Sequence, residues 1–435
     1  MEKRELAKEI VRKLQARQFE AYWAGGSVRD KILGQEPKDY DIATSAKPEE
    51  VKKLFTKTIP VGERFGVVII VFEGVNFEVT TFRTEGAYSD GRRPDQIAFT
   101  DARQDALRRD FTINGLFYDP LSEKIYDYVG GEKDIRARKI RTIGNPKERF
   151  REDKLRLLRA VRFASNLGFD IEEETWRTVQ ELAREVHGVS QERIREELVK
   201  ILTRPGSGRG LDLLSESGLL KVILPEVEAM KGVAQPPEFH PEGDVFVHTK
   251  LMLEKLENPS VVLAFSCLLH DVGKPLTFEI KDRIRFNEHA EVGADIAEGI
   301  LTRLRFSNDE KEAIVVCVKN HMRFKEVQKM RPGKLKRFLQ ADTFKEELEL
   351  HRIDCASSHN QLDNWEFLKK KLEEYSQEEI KPLPFLNGGD LLAQGFLQGP
   401  LIGKILAELD ELQLDGKLTS KEEALHWVAS HYTKG

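Results

Sequence analysis

Asp39 and Asp41 stand two residues apart at the end of the run Y-W-A-G-G-S-V-R-D-K-I-L-G-Q-E-P-K-D-Y-D, which extends from Tyr22 to Asp41. If Asp39 to Ala43 is a strand, both carboxylates leave the same face of it, a geometry suited to a shared divalent metal. Upstream, Gly25 and Gly26 carry no side chain that would keep a phosphate away from backbone N–H groups, and Ser27 to Leu33 reads as the helix that follows. Phosphate on one side and metal on the other point to nucleotidyl transfer.

A second constellation begins near His240. His248 stands at the start of a helix, His270-Asp271 closes the apolar run V-V-L-A-F-S-C-L-L, and Asp354 sits in H-R-I-D-C-A. His289 and His321 fall on separate helices between them and are candidates to widen the site to two metals. A lone His at such a place is more often a core residue. A His, a His-Asp pair and a distant Asp on helices nevertheless make a ligand set for a divalent transition metal.

The elements that position these groups follow from periodicity. Glu2 to Gln18 reads as an amphipathic helix with Leu6, Ile10, Val11 and Leu14 on one face. Lys47 to Phe55 reads as a helix beginning at Pro48, and 66–72 and 76–82 read as strands of a hairpin about Glu73-Gly74, next to the aspartate strand. On the second of these strands Glu78 falls on the polar side, where a third carboxylate of the site and a solvated strand face are equally compatible with the pattern. Arg83 to Phe99 reads as a loop; its Arg92, Arg93 and Asp95 fit either a nucleotide contact or surface solvation. Leu107 to Tyr118 carries an apolar helix pattern interrupted by Arg108, Arg109, Asp110 and Asn114. Asp110 and Asn114, one helical turn apart, would then act on one face toward a ribose or triphosphate. Beyond Ile135 strand signals almost vanish. Arg149 to Leu167 reads as one helix on which Asp153 and Arg156 are i,i+3 neighbours, an arrangement that needs nothing more than an intrahelical salt bridge.

Composition sets the outer limits. At 435 residues, 40% hydrophobic and 33% charged, the chain is an ordinary soluble globular protein with room for two to four domains. Its net charge of -5 conceals a local excess: Arg136 to Arg162 holds eleven Lys and Arg against Glu148, Glu152 and Asp153, which favours a polyanion such as RNA. Cys267, Cys317 and Cys355 are widely separated and read as buried thiols rather than a disulfide framework or zinc site. The N-terminus lacks the apolar run of a signal peptide and no segment reaches transmembrane length, so a cytoplasmic protein is expected.

With G-G-S-V-R-D, D-Y-D, R-R-D-F-T-I-N, D-Y-V-G-G, E-D-K-L-R and Q-E-R-I-R-E-E-L in that order, the first half of the chain resembles the bacterial class II tRNA nucleotidyltransferases and related poly(A) polymerases. Residues His240 to Asp354 resemble an HD phosphohydrolase domain. The resemblance implies an α+β fold: a polymerase-β-like nucleotidyltransferase head with a small mixed β-sheet (1–139), then all-α neck (140–205), body connection (206–239), HD domain (240–360) and tail (361–435). It implies that Asp39 and Asp41 bind Mg2+, and Glu78, placed on the polar side by the strand pattern, is the candidate for a further catalytic carboxylate. Gly25, Gly26 and Arg29 become triphosphate contacts, Arg109, Asp110, Asn114 and Arg159 nucleotide-binding residues, and Asp153 with Arg156 the reader of the incoming base. In the HD domain His248, His270, Asp271 and Asp354 would hold a transition-metal ion such as Mn2+, Ni2+ or Co2+. The partners implied are tRNA, ATP and CTP, with neither DNA nor membrane. CCA addition ranks first because the 83–99 loop has full length, whereas CC-only relatives tend to shorten it. A-only and poly(A) addition follow, and a phosphohydrolase with an RNA-binding head is the reading from a different class.

Overall fold

The computed structural model describes residues 2–59, 63–86, 96–238, 240–376, 380 and 382–433. It divides into two compact units, Met1–Glu228 with Arg303–Arg305, and Ala229–Thr302 with Phe306–Gly435.

In the first unit, helix α1 (Lys3–Gln15) buries Leu6, Ala7, Ile10, Val11 and Leu14, the apolar face expected from the sequence. The strands are β1 (Ala21–Ala24), β2 (Asp41–Thr44), β3 (Thr58–Ile59), β4 (Val67–Phe72), β5 (Val75–Thr81), β6 (Arg83–Glu85), β7 (Ile97–Phe99), β8 (Leu116–Asp119) and β9 (Lys124–Asp127). Seven of them form one sheet in the order β3-β4-β5-β2-β1-β8-β9. Only the β2–β5 pair is parallel, so the sheet is mixed. Helices α2 (Gly26–Ile32), α3 (Pro48–Leu54), α4 (Ala102–Leu107) and α5 (Gly131–Arg136) connect the strands.

Several expectations need correction. Strand β2 begins at Asp41, leaving Asp39 in the approach to it. The ends of the 83–99 segment pair as the hairpin β6–β7 rather than forming a plain loop, because Thr84, Ile97 and Phe99 support a ladder; Arg92, Arg93 and Asp95 lie outside the described residues. Residues 107–118 are not a helix. They end α4, pass through a 3-10 turn at Thr112–Asn114 and enter β8, since four consecutive residues from Leu116 are buried as a central strand requires. Beyond Ile135, short pairs persist: β10 (Lys139–Ile140) with β11 (Asp170–Ile171), and β12 (Phe278–Ile280) with β13 (Ile284–Phe286).

The D-Y-V-G-G segment is the scaffold of that 3-10 turn. Asp127 accepts from the N–H groups of Val129, Gly130, Gly131 and Glu132 at 2.8–3.0 Å, which caps α5. Gly131 then lies so close to Thr112 that a Cβ would collide with its carbonyl oxygen. Thr112 Oγ1 completes the join by donating to Asp134 at 2.7 Å.

The expected helix 149–167 is two: α6 (Pro146–Glu152) and α7 (Leu155–Leu167). Asp153 breaks it with extended backbone (φ -140°, ψ 103°), and its carboxylate accepts from Leu155 N–H at 3.1 Å as α7 begins. Helices α8 (Glu173–Leu182), α9 (Gln191–Leu202), α10 (Ser207–Glu216), α11 (Leu219–Ile223) and α12 (Pro225–Glu228) complete the unit.

Among the described residues the second unit is helical apart from the strand pair β12–β13. It contains α13 (Val245–Glu254), α14 (Val261–Leu269), α15 (Lys274–Thr277), α16 (His289–Arg303, of which the last residue clusters with the first unit), α17 (Asn308–Asn320), α18 (Pro332–Leu339), α19 (Phe344–Ser357) and α20 (Asp363–Glu374). Then follow α21 (Gly388–Ala393), α22 (Pro400–Leu414) and α23 (Lys421–His431). Leu386, Leu391, Ile405, Leu409 and Val428 form a separate small core among these last three. All three cysteines are buried free thiols. Among the described residues no helix is long and apolar enough to cross a membrane.

Gly131→Ala should cost about 1–3 kcal/mol of stability through overpacking against Thr112. Thermal denaturation checks this: the midpoint should fall, and an unchanged midpoint would mean that the α5 contact is not tight.

Candidate active site and metal centre

Strand pairing brings the proposed carboxylates together. Ala24 pairs with Asp41, which sets Asp41 opposite the residue that precedes the Gly25 turn. Ile42 pairs in parallel with Val79, so Asp41 and Glu78 stand one step earlier on neighbouring strands and share a face. Asp39 and Asp41 are exposed on either side of buried Tyr40, which places both on the open side. Desolvation, then Glu78 and Asp39, push the Asp41 carboxyl up to about 6 against the opposing charges of Arg109 and Lys3. Lys3 donates to Asp39 at 2.6 Å.

The glycine turn is flanked by guanidinium groups. Gly25 has φ +66°, a region that disfavours side chains, and a Cβ there would lie 3.4 Å from Arg109 Nη1. A Cβ on Gly26 would lie 3.4 Å from Arg29 Nη2. Arg29 donates to Asn114 Oδ1 at 2.8 Å and to Asp30 Oδ1, while Asn114 Nδ2 donates to Asp110 Oδ1 at 3.3 Å. Asp110 and Asn114 thus do share a face, through a 3-10 turn rather than an α-helix. Arg159 Nε on α7 donates to Asp110 Oδ2 at 2.7 Å. Burial alone would raise the Asp110 pKa, but Arg159 and Arg156 outweigh it and bring it to about 2.

Asp153 and Arg156 do not pair with each other. The Arg193 fork on α9 holds both Asp153 oxygens, at 3.1 and 2.8 Å, whereas Arg156 donates to Glu152 at 2.7 Å and to the Arg149 carbonyl at 2.8 Å. The two stay close in sequence at the α6–α7 corner, but their partners are elsewhere because Asp153 is not helical. The basic run is likewise divided: Arg136, Arg138, Arg141 and Arg151 are exposed, while Arg156 and Arg162 are buried, the latter paired with Glu197 at 2.9 Å.

Sequence reasoning missed several supporting groups. Asp105 is fully buried and accepts from Arg108 Nε at 2.8 Å, from Arg109 Nη2 at 3.0 Å and from Arg83 N–H at 3.1 Å. Its i−3 and i−4 spacing to the two arginines on a helix was the available signal. Arg149 donates to the carbonyls of Arg108 and Arg109, tying α6 to that turn. Arg193 offered no local signal, since its partner lies forty residues away.

In the second unit the expected four-ligand set divides in two. His248, His270 and Asp354 bring ligand atoms within 4.8 Å of one another, and so do Asp271, His289 and His321. His248 Nε2 lies 3.0 Å from Asp354 Oδ1 and its Nδ1 lies 2.7 Å from Glu242. Burial opposes a charge on His248, but these two carboxylates prevail and raise it to about 9. Burial pushes His321 down to about 4, helped by His270, and also lowers His289. His270 Nε2 is buried without a hydrogen-bond partner. Glu242, a carboxylate that the sequence reading left out, is therefore part of this centre.

Comparison with known proteins places these two centres in a common frame. Residues 21–141 match the poly A polymerase head domain, 168–231 the probable RNA and SrmB-binding site of polymerase A, and 244–356 the HD domain. The crystal structure of the Bacillus stearothermophilus CCA-adding enzyme in complex with CTP is similar at a TM-score of 0.76 and 26% identity, covering 99% of this chain and 98% of that one. The CCA-adding enzyme of Geobacillus sp. WCH70 is 46% identical over 211 residues, 48% of this chain and 52% of the relative. That of Staphylococcus saprophyticus is 32% identical over 435 residues, 98% of each chain. Aligning with the Staphylococcus saprophyticus enzyme at 32% identity nearly end to end, the chain belongs to the CCA-adding enzyme family.

Proposed function

We propose that the chain is a tRNA nucleotidyltransferase that adds C, C and A to tRNA 3′ ends, taking CMP and AMP from CTP and ATP without a nucleic-acid template. The observation that carries this reading is that strand pairing sets Asp41 beside Glu78, with Asp39 two residues upstream, next to a glycine turn flanked by Arg29 and Arg109. Carboxylates that repel one another call for a cation, and an open turn beside two guanidinium groups accepts an anion. The CTP complex of a relative with 26% identity supports the choice of nucleotide.

The donors are hard oxygens, and Asp41 is destabilised as an anion until a cation joins it, so the set fits Mg2+. When bound, Mg2+ supplies charge neutralisation at the triphosphate and activation of the attacking hydroxyl. This chain's residues bind and orient. Gly25 and Gly26 admit the phosphates, and Arg29 and Arg109 donate to their oxygens. Asp110, kept ionised by Arg159, faces the ribose as an acceptor beside Asn114. The RNA 3′-hydroxyl oxygen then forms a bond to the α-phosphorus as the bond to pyrophosphate breaks, and pyrophosphate leaves.

Base choice falls to Asp153 and Arg156. A carboxylate accepts and a guanidinium donates, which matches the amino group and ring-nitrogen acceptor of C and A; G and U present the opposite polarity. For both to face one base, Arg156 must turn from Glu152. Asp153 can accept through its remaining lone pairs while Arg193 holds it. We assign 1–139 as head, 140–205 as neck, 206–239 as body connection, 240–360 as HD domain and 361–435 as tail.

The HD domain supports a second activity, metal-dependent phosphohydrolysis. Imidazole nitrogens of His248 and His270 and a carboxylate oxygen of Asp354 suit Mn2+, Ni2+ or Co2+, and Asp271 stands beside them with its Oδ2 3.1 Å from His270 Nε2. Glu242 stands 2.7 Å from His248 Nδ1 as its charge partner, on the side of the ring away from the Nε2 offered to the ion.

Replacing Asp39 or Asp41 by Ala should reduce nucleotide addition by at least about 10³-fold with the fold retained, measured as labelled CMP and AMP incorporation into tRNA. Retained addition by the double variant would remove this site from consideration.

Asp153→Asn should weaken discrimination against GTP and UTP more than it slows addition of CMP and AMP. Arg156→Ala should raise KM for CTP and ATP together. Ratios of kcat/KM for the four nucleotides on one primer decide it: an equal fall for all four would make these residues structural only.

A further inference from the structure

Arg109 meets the glycine turn from the end of a helix whose own residues hold it there. Helix α4 packs through Ala102 and Ala106 into the apolar cluster of Tyr22, Ala24, Phe82 and Phe117, the same cluster that anchors the residue before Gly25. One turn ahead of the paired arginines stands Asp105, its side chain 1% exposed. Its two oxygens divide the arginines between them. Oδ1 accepts from Arg108 Nε at 2.8 Å and Nη2 at 2.7 Å and from the Arg83 N–H at 3.1 Å, whereas Oδ2 accepts from Arg109 Nε at 3.2 Å and Nη2 at 3.0 Å.

One edge of the Arg109 guanidinium is therefore taken. The remaining nitrogen, Nη1, donates to the Asn114 carbonyl at 3.3 Å and lies where a Cβ on Gly25 would be 3.4 Å away. The Phe117 ring lies against the guanidinium carbon at 5.0 Å, and Arg149 Nη2 donates to the Arg109 carbonyl at 2.7 Å. Edge, face and main chain are each held by a different neighbour, which leaves Nη1 directed at the turn. Burial would neutralise Asp105, but Arg109 and Arg108 outweigh it and hold the carboxyl below its usual range. Such a buried ion pair is a poor source of stability, since an apolar side chain of similar volume often serves as well. What the carboxylate adds is orientation: an arginine has many rotamers to give up on binding, and the fork held by Asp105 has given them up in advance.

We infer that Asp105 is a positioning residue for nucleotide addition: it touches no substrate itself, and it orients Arg109 so that Nη1 meets a triphosphate oxygen at the Gly25-Gly26 turn. The inference rests on the proposed function in taking Arg109 as a triphosphate contact, and it adds the group on which that contact depends. Through the Arg83 N–H the same carboxylate anchors the start of β6, so the first residue of the 83–99 segment and the Arg109 fork share one support.

The test is a double-mutant cycle between Asp105→Asn and Arg109→Gln, read as kcat/KM for CTP on a tRNA transcript ending before CCA, below the melting midpoint of every variant. An amide of the same shape cannot accept on both sides, so Asp105→Asn should lower kcat/KM by about 10–10²-fold. Without Arg109 nothing is left to orient, and the double variant should be no slower than Arg109→Gln alone. Asp105→Asn as active as the intact chain, or a double variant slowed by the product of the single effects, would overturn the inference and leave the proposed function in place. An intact, folded chain that adds no nucleotide would overturn both. A second measurement needs no substitution at Asp105: by nuclear magnetic resonance of the isotope-labelled intact chain, the Arg109 Nε–H should be as ordered and as protected from exchange without CTP as with it. An Nε–H that is mobile until CTP binds would overturn the inference.

Discussion

The buried carboxylate of Asp110 is the joint on which the glycine-turn side of the first unit depends. One oxygen is held by Arg159 of α7, and the other accepts from Phe111 N–H and from Asn114, which itself accepts from Arg29 of α2. Sheet, glycine turn and α7 are thereby joined through a single ionised group that burial would otherwise neutralise. Breaking such a pair by removing one partner typically costs about 3–5 kcal/mol, because the remaining charge is left buried. Under the proposed function a ligand phosphate would meet guanidinium groups that are already oriented, and less of its binding energy would go into ordering them.

The second unit solves a different problem with the same logic. Three of its histidines, His270, His289 and His321, are fixed by main-chain carbonyls at Nδ1 before any ion is considered, so the orientation of those rings is set by helix ends rather than by the ligand. Cys267, Phe286 and Val318, which supply those carbonyls, are each three residues upstream of the ring they hold. The cost is a buried collection of lone pairs and carboxylates that is unfavourable when metal-free. That cost is the physical content of the metal assignment.

Features with a local cause were legible in the sequence. The Gly-Gly turn, the Asp39 and Asp41 spacing, the 67–72 and 75–81 hairpin and the apolar face of α1 all follow from short-range patterns. Misread features were those where a distant partner overrode the pattern. Residues 107–118 carry helical spacing, yet Leu116 to Asp119 pair with β1 and β9, and that pairing decides. Asp153 reads as mid-helix, but a carboxylate that caps α7 and binds Arg193 stops α6 one residue before it. Glu242 and Asp105 escaped attention because each acts through another side chain, and nothing in the sequence marks a carboxylate as a support. The division of the histidines into two sets depends on helix ends meeting in space, which spacing alone does not encode.

The most direct measurement of the central claim is incubation of the protein with tRNA transcripts ending before CCA, after C and after CC, with CTP and ATP given singly and together. The account predicts two CMP added to the shortest transcript with CTP alone, one AMP added to the CC-ending transcript with ATP alone, and a complete CCA end on all three with both. GTP and UTP should add nothing. Addition of A only to the CC-ending transcript, unlimited A addition, or no addition to any transcript by the folded protein would contradict it.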